Sequence, residues 1–408
     1  MKREQSVLSA HSGRREELRV AWFSPLPSAE AAERPSVAAY AAQLLLPLMR
    51  QEFAIDCFSG KPAAERGFHW SEAMARHAEE PYDIFFYQIE DSPECDFVRR
   101  QMLLAPGVVY FHDILFRPRE DNLAGEKLVQ DAELRISPFL NEGASTVPDH
   151  TAFAAREARF AAVPIFSNER NWGEYSRHCP SSLAAVLGLD PAAYLLPCPA
   201  GSSKSKERAR ASAGERLRVG FAGGPQLEYR AHKLCAALRQ SGIAFDLVWL
   251  IDEDVLAAGK RLADEFELGN VEFISPRNFA QWERCAAGLD VAVHLLGSVY
   301  GDAQPWLSIS MSSGCLCAVS DFSAAALLPD AVVWKIPCGE GEITSLVSMF
   351  QTAVSDAESN RRRTLQSNAA AYAAQHFSAS VSAAELACVF WRSAAPLRKF
   401  LEQWLTSK

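Results

Sequence analysis

Residues 18–24 read Leu18-Arg-Val-Ala-Trp-Phe-Ser24, an apolar run that Pro25-Leu-Pro27 ends and that a helical pattern rich in Ala and Leu follows from about Ser36. This order predicts a strand, a loop and a helix. The same alternation recurs, with strand candidates at 53–58, 83–88, 108–112 and 165–167 separated by segments of helical length. Strands that alternate with helices form parallel sheets covered on both faces, so this part of the chain predicts a doubly wound α/β domain.

The composition changes at residues 202–215, which hold Ser, Lys, Arg, Ala and Gly but almost no large apolar side chain, as exposed linkers do. The alternation then restarts, with strands predicted at 217–222, 245–251, 271–274, 291–295, 315–320 and 332–336. We therefore predict two tandem Rossmann-like domains with a cleft between them, at 18–201 and 216–377, joined by a linker at 202–215. Residues 1–17 are predicted to be a flexible N-terminus, and 378–408 to be C-terminal helices that pack back on the first domain.

Composition excludes several classes of protein. The chain has 408 residues, 49% of them hydrophobic, and a formal charge of −9, which argues against nucleic-acid binding because phosphate neutralisation needs a basic face. No apolar run is long enough to span a membrane and the start is polar, so a cytoplasmic location is predicted, with contact to a membrane surface left open. The ten cysteines are scattered, and the apolar surroundings of Cys57, Cys235 and Cys388 predict buried free thiols.

Several short stretches follow one another along the chain: 20–27, 37–40, the strand Pro106-Gly-Val-Val-Tyr-Phe-His112-Asp113, the strand Leu289-Asp-Val-Ala-Val-His294, and 312–314. In this order and spacing, over residues 18 to about 340, they resemble GT-B glycosyltransferases, in particular bacterial retaining glycosyltransferases related to family 4. The resemblance implies an enzyme that moves a sugar from a nucleotide-sugar to a hydroxyl-bearing acceptor, with retention at the anomeric carbon. The donor would lie on the second domain and the acceptor on the first.

Three groups of residues are candidates for this site. The resemblance implies that His112, followed by Asp113, lines the sugar site and positions the transferred group. A donor diphosphate needs cations and free backbone N–H groups, which Gly223-Gly224 with Arg230 and Lys233 would supply. The alternative for that loop is a tight turn followed by solvated charges.

A second donor-facing loop is predicted at Gly301-Asp302-Ala303-Gln304-Pro305, which starts a helix. Its alternative is an ordinary capped helix. The resembled enzymes hold two Glu across the donor, with seven residues between them, and the second Glu binds the ribose. Those positions fall at Gly301 and Ile309, so Asp302 and Ser308 are the polar groups left for this task, because Ile309 accepts no hydrogen bond.

Gly301 and Ile309 replace the two Glu of the resembled enzymes, and residues 29–36 contain no glycine. These two differences keep other functions open. The runner-up is a catalytically weakened GT-B protein that acts as a partner or ligand-binding subunit, and a third is a nucleotide-sugar epimerase. No cofactor and no metal is predicted, because the acidic run Asp252-Glu-Asp254 lies where a helix begins and suits the helix dipole. Cys315 and Cys317 have no Cys/His pair nearby and are predicted to be strand thiols. The acceptor is left open among a saccharide, a lipid-linked sugar, a protein and a small molecule.

Overall fold

Two six-stranded sheets, both wholly parallel, form the centre of the protein. The computed structural model describes residues 17–26, 36–61, 67–114, 131–132, 134–136, 155–178, 183–189, 196–201, 216–295, 305–355 and 359–406. The predicted N-terminus at 1–17, except Glu17, and the predicted linker at 202–215 lie outside these ranges.

The first sheet has the strand order β3-β2-β1-β4-β5-β6 and the second the order β12-β11-β10-β7-β8-β9. Numbered within its own sheet, each follows the order 3-2-1-4-5-6 of dinucleotide-binding folds. The strands are β1 Arg19–Phe23, β2 Ala54–Ser59, β3 Gly67–His69, β4 Ile84–Ile89, β5 Gly107–Phe111, β6 Ala161–Phe166, β7 Leu217–Ala222, β8 Phe245–Leu250, β9 Val271–Ile274, β10 Val291–His294, β11 Leu316–Ser320 and β12 Trp334–Ile336.

Helices cover both sheets within the described ranges. They are α1 Val37–Met49, α2 Ala73–Glu79, α3 Asp96–Leu104, α4 Ala155–Arg159, α5 Glu169–His178, α6 Leu183–Val186, α7 Ala231–Ser241, α8 Leu256–Glu265, α9 Phe279–Ala286, α10 Pro305–Ser312, α11 Glu342–Val354, α12 Ser359–His376 and α13 Ala379–Thr406. Strands β4, β5 and β6 are buried along their whole length, as expected for parallel strands with both faces covered. The predicted fold of two tandem Rossmann-like units is confirmed.

The structure differs from the sequence-based expectations at three places. Strand β3 (Gly67–His69) was not predicted, because it is a half-buried edge strand of three residues and so carries no hydrophobic periodicity. The stretch 378–404, predicted as several helices, is the single helix α13, which continues through Pro396. Cys388 is exposed on that helix, so the prediction of a buried thiol is wrong there, whereas Cys57 and Cys235 are buried.

The final helix α13 packs on the first sheet. Phe390 meets Phe86 of β4 edge to face, with ring centroids 5.2 Å apart. Near the end of the helix, the buried Trp404 donates a hydrogen bond of 2.8 Å from its indole N–H to the carbonyl of Leu104. Aromatic burial of this kind contributes strongly to core energetics, and it fixes the end of the chain to the first domain.

The two domains touch through α1 of the first and α9 of the second. Tyr40 stacks on Phe279 with ring centroids 4.4 Å apart, and its hydroxyl donates to the Glu283 carboxylate at 2.9 Å. The same hydroxyl oxygen accepts the backbone N–H of Gly201 at 3.0 Å. One phenol therefore joins both domains and the segment that leads out of the first domain.

The chain also crosses between the domains at two adjacent points. The backbone N–H of Ala200, on the way to the second domain, donates to the carbonyl of Phe377 at 2.7 Å. Phe377 lies on the way back, and Ala200 forms a parallel bridge with Ser378. The two crossovers run side by side and mark the floor of the space between the domains.

Candidate functional site

Each sheet has a point where the strand order reverses, between β1 and β4 in the first sheet and between β7 and β10 in the second. Ligands of open α/β sheets bind outside the carboxyl ends of the strands at such points. The segments that follow these strands carry Glu90 in the first domain and Gly223-Gly224 in the second. The chemistry of the site is therefore set by what these segments present.

In the first domain, a carboxylate of the protein itself covers the start of α1. Ser36 caps the helix by accepting the N–H of Ala39, and the buried Glu90 accepts the N–H of Ala38 at 3.0 Å through its Oε2. Burial, and then the nearby charge of Asp113, raise the pKa of Glu90 to about 7, although the hydrogen bonds from the helix start oppose this shift. The start of α1 is therefore already occupied by a carboxyl group of the protein itself.

His112 follows β5 and is fully buried. Its Nε2 lies 2.8 Å from Oε1 of Gln88, and its Nδ1 has no hydrogen-bond partner. Burial lowers the pKa of His112 to about 3, so the imidazole is neutral near pH 7. Asp113 is half-buried and accepts the backbone N–H of Asp91 at 2.8 Å. A buried ring offers no surface to a sugar in this arrangement, and the positioning role of His112 stays a prediction.

The glycine pair after β7 is required by its own loop. Gly223 has φ +144°, and a Cβ there would lie 2.5 Å from the Tyr229 ring. A Cβ on Gly224 would lie 1.8 Å from Oε1 of Gln226. The carbonyl of Gly223 also accepts the indole N–H of Trp249 at 2.8 Å. The turn is thus built by local packing, and its contact with a donor stays a prediction.

Arg230 is engaged inside the protein. It caps α7 in a left-handed conformation, with φ 54°. Its Nη2 lies 2.6 Å from Oε2 of Glu342, the first residue of α11, whose side chain is only 1% exposed. Burial raises the pKa of Glu342, and the charges of Arg230 and Lys233 oppose the shift. The Arg230 side chain is 18% exposed and ion-paired, so it is not one of the solvated charges of the alternative interpretation of this loop.

Lys233 differs from Arg230. It lies in the first turn of α7, is half-buried, and acts on Glu342 through its charge. With the described residues its ammonium group makes no hydrogen bond or ion pair. Of the two cations predicted to bind a diphosphate, Lys233 is the one whose donors are unused in this part of the structure.

The predicted donor helix is α10. Its preceding loop, with Asp302, Ala303 and Gln304, lies outside the described residues. Ile309 is 1% exposed and belongs to the apolar core that also holds Trp306 and Tyr40. Ser308 is buried and donates its hydroxyl to the carbonyl of Pro305 at 3.1 Å. Helix α10 therefore presents little polar chemistry beyond its start.

A cavity of about 560 Å³ opens between the domains, beside α10. That volume lies in the range of small-molecule sites. Of the predicted site residues that the structure describes, Ser308 alone lines it. The walls come from the end of β6, the start of α5, α10, the segment after β11, and the elbow between α12 and α13. The lining residues are Ser167, Asn168, Glu169, Leu196, Pro197, Cys198, Leu307, Ser308, Ala324, Ala325, Leu327, Leu328, Tyr372, Gln375, His376, Phe377, Val381, Ser382 and Glu385.

The described part of the chain contains neither a metal-binding cluster nor a membrane-spanning helix. Within the described ranges, no three His, Cys, Asp or Glu side chains converge in a group that could hold a metal ion. Both Cys315 and Cys317 are buried; Cys317 lies within β11, as predicted, and Cys315 directly precedes that strand. In the same part of the chain, no helix combines the length and the apolarity needed to cross a bilayer. The absence of a metal requirement remains a prediction.

Several solved structures share this architecture. A sucrose-phosphate synthase from Thermosynechococcus elongatus has a TM-score of 0.63 and 15% identity, covering 92% of this chain and 99% of that chain. HepE from Anabaena, solved in complex with UDP-glucose, has a TM-score of 0.58 and 15% identity, with coverage of 92% and 100%. WaaG, a glycosyltransferase involved in lipopolysaccharide biosynthesis, has a TM-score of 0.57 and 14% identity, with coverage of 91% and 99%.

No protein-family model and no curated protein sequence matches the chain. The structural likeness extends over both domains and their arrangement, and the chain therefore has the GT-B fold.

Proposed function

We propose that the protein is a glycosyltransferase that moves a sugar from a nucleotide-sugar donor to a hydroxyl-bearing acceptor. The observation that carries this proposal is the cavity between two Rossmann-like domains, which both domains line and which borders the predicted donor helix at Ser308. A site of this shape brings two substrates together and holds them in place, which accounts for a large part of the rate in a group-transfer reaction. The bound UDP-glucose of HepE, a protein of the same fold, supports the choice of donor class.

The roles follow from which groups are unused. Lys233 would stabilise the departing diphosphate, because its ammonium makes no ion pair with the described residues. The backbone N–H of Gly223 already donates to the carbonyl of Leu250 at 3.0 Å, so the N–H of Gly224 and those of the loop at 301–304, with Asp302, Ala303 and Gln304, would supply further donors to the phosphates. His112, neutral and buried, would shape the sugar pocket from beneath. Retention at the anomeric carbon and independence from a divalent metal are part of the proposal, as is a cytoplasmic location.

Calorimetry against UDP, GDP, ADP and their glucose or mannose conjugates tests the proposal. We expect one nucleotide-sugar to bind at micromolar concentration, and slow hydrolysis of that donor in the absence of an acceptor. The matched control is the same titration with the free sugar, which lacks the diphosphate. Binding of no nucleotide and no nucleotide-sugar would refute the proposal.

The second candidate is a GT-B protein that has lost catalysis and acts as a partner or ligand-binding subunit. Three observations favour it, because each places a predicted ligand-binding position in contact with the protein itself. Arg230 forms an internal ion pair, Ile309 lies in the core, and Glu90 covers the start of α1. Nucleotide-sugar binding without hydrolysis or transfer to any acceptor would support this second function. Measured transfer would exclude it.

A further inference from the structure

We infer that the cavity between the domains is the acceptor subsite and that it selects a polyhydroxylated acceptor bearing an amino group over the same acceptor bearing a phosphate. The assignment of the cavity to the acceptor rests on the proposed function. The preference for an amino group over a phosphate rests on the residues that line the cavity. Nothing in the resemblance or in the comparisons assigns a ligand to this cavity.

The position of the cavity fits an acceptor. One wall is the end of β6 with Ser167 and Glu169, on the first domain, and the opposite wall is α10 with Leu307 and Ser308. A ligand in the cavity therefore lies beside the predicted donor helix while it is held by the first domain. Transfer between two substrates requires this adjacency.

The lining holds two carboxylates. Glu169 and Glu385 both line the cavity with exposed carboxylates, and the described lining residues include one imidazole, His376, and no Lys or Arg. Carboxylates disfavour a phosphate and favour an ammonium group at short range. Phosphate sites in proteins are instead built from Arg, Lys and helix N-termini, and the helix start in this wall, that of α5, carries the carboxylate of Glu169 itself. A phosphorylated sugar or a diphosphate-linked lipid would meet repulsion here.

Hydroxyl groups of the lining supply the remaining polar contacts. Ser382 is 1% exposed and lines the cavity, and its Oγ has no hydrogen-bond partner among the described residues. Buried hydroxyls are nearly always paired, so an unpaired one at a cavity wall is best explained by a ligand or water that pairs with it. Burial and the charge of Glu169 raise the pKa of Tyr372, so its phenol stays protonated and able to donate.

Part of the lining is apolar. Leu196, Leu307 and Leu328 are among the lining residues. A sugar ring or cyclitol has an apolar C–H face and a polar rim, which matches a cavity lined by leucines as well as by carboxylates and hydroxyls. The ligand class is accordingly an amino sugar or a related aminated polyol.

The test compares three probes that differ at one substituent: glucosamine, glucose and glucose 6-phosphate. Binding is measured by ligand-observed NMR titration on the full chain without any nucleotide. We expect glucosamine to bind most tightly and glucose 6-phosphate most weakly. In Glu385→Gln the preference for glucosamine over glucose should fall by about two- to fivefold, the range of one exposed charge pair. The matched control Glu402→Gln removes an exposed carboxylate of the same helix outside the cavity and should change nothing.

Ser382→Ala locates the probe independently of charge. The hydroxyl makes no bond inside the protein, so its removal should leave the melting temperature unchanged while all three affinities fall by about three- to tenfold. Tighter binding of glucose 6-phosphate than of glucosamine, or no binding of glucosamine, would overturn the inference, and so would unchanged affinity in both variants. Because the titration contains no nucleotide, its outcome is separate from that of the donor-binding experiment.

Discussion

Arg230 and Glu342 form an ion pair, with Nη2 2.6 Å from Oε2, that joins the start of α7 to the start of α11. The carboxylate is 1% exposed, and its second oxygen, Oε1, has no hydrogen-bond partner among the described residues, so the charge of Arg230, followed by that of Lys233, compensates it. Two helix starts are fixed to each other at this point, directly beside the loop that was predicted to bind a diphosphate.

Arg230→Ala should destabilise the second domain by about 3 kcal/mol, because it leaves a buried carboxylate without its counter-charge. Urea unfolding followed by tryptophan fluorescence measures the change. The double variant Arg230→Leu with Glu342→Leu should recover most of the loss, since it removes both charges. A single variant as stable as the wild type would contradict a structural role for the pair.

Lys233→Ala should weaken binding of the nucleotide-sugar by about 1.5 to 3 kcal/mol, the range of one charge-assisted contact, without lowering the melting temperature. Isothermal titration with the donor that binds the wild type gives the affinity, and differential scanning calorimetry gives the stability. The control is Lys260→Ala, an exposed lysine on α8. Equal donor affinity in Lys233→Ala and in the control would remove this loop from the site.

Glu90→Gln should change how stability depends on pH. The pKa of Glu90 is raised from 4.5 to about 7, so the folded protein holds a proton in that interval that the unfolded chain releases. This group therefore favours folding most below pH 4.5, and its contribution is lost as pH rises to 7, by about 3 kcal/mol.

The stability of Glu90→Gln relative to the wild type should accordingly rise between pH 5 and pH 8, because glutamine keeps an acceptor for the Ala38 N–H and cannot ionise. Chemical unfolding at the two pH values measures it. Glu79→Gln, an exposed glutamate on α2, should show no such trend. A constant difference for Glu90→Gln would disprove the assignment.

Tyr40→Phe should loosen the contact between the domains. The variant keeps the ring stacked on Phe279 but leaves the Gly201 N–H and the Glu283 carboxylate without the phenol, at a cost of about 1 to 3 kcal/mol. Small-angle scattering should report a larger radius of gyration in the variant. A scattering curve identical to that of the wild type would show that the stacking alone holds the domains.

Two variants, Ile309→Glu and Asp302→Ala, together test whether the protein holds a nucleotide-sugar at helix α10. The side chain is 1% exposed within an apolar core, so a carboxylate there should lower stability by several kcal/mol or force its own protonation. Asp302→Ala should retain the wild-type melting temperature and reduce donor affinity if Asp302 holds the nucleotide-sugar. Full donor affinity in Asp302→Ala would require a different ribose contact.

The periodicity of hydrophobic residues was sufficient to predict the fold, because long buried strands such as β4 and regular helices leave a clear pattern in the sequence. It could not predict β3, whose three residues are too few to show a period.

The candidate site was less predictable for a physical reason. Whether Arg230 serves a ligand or the protein depends on Glu342, which lies 112 positions further along the chain. The cavity likewise joins Glu169 to Glu385, and sequence spacing carries no information about such contacts. The strand-end position of Ser167 was the available signal for the cavity.

The paired crossovers at Ala200 and Phe377 act as a double tether between the domains. Two tethers side by side allow bending about one line and resist torsion and sliding. The cavity borders this line, since Phe377 is one of its walls, whereas β4 lies two strand spacings from β6 in the first sheet, about 10 Å away. When two domains bend about a line, the residues near that line move least. In the proposed transferase, an acceptor in the cavity would thus keep its contacts while the domains open and close. Donor contacts at the strand-order reversals would be made and broken in each turnover.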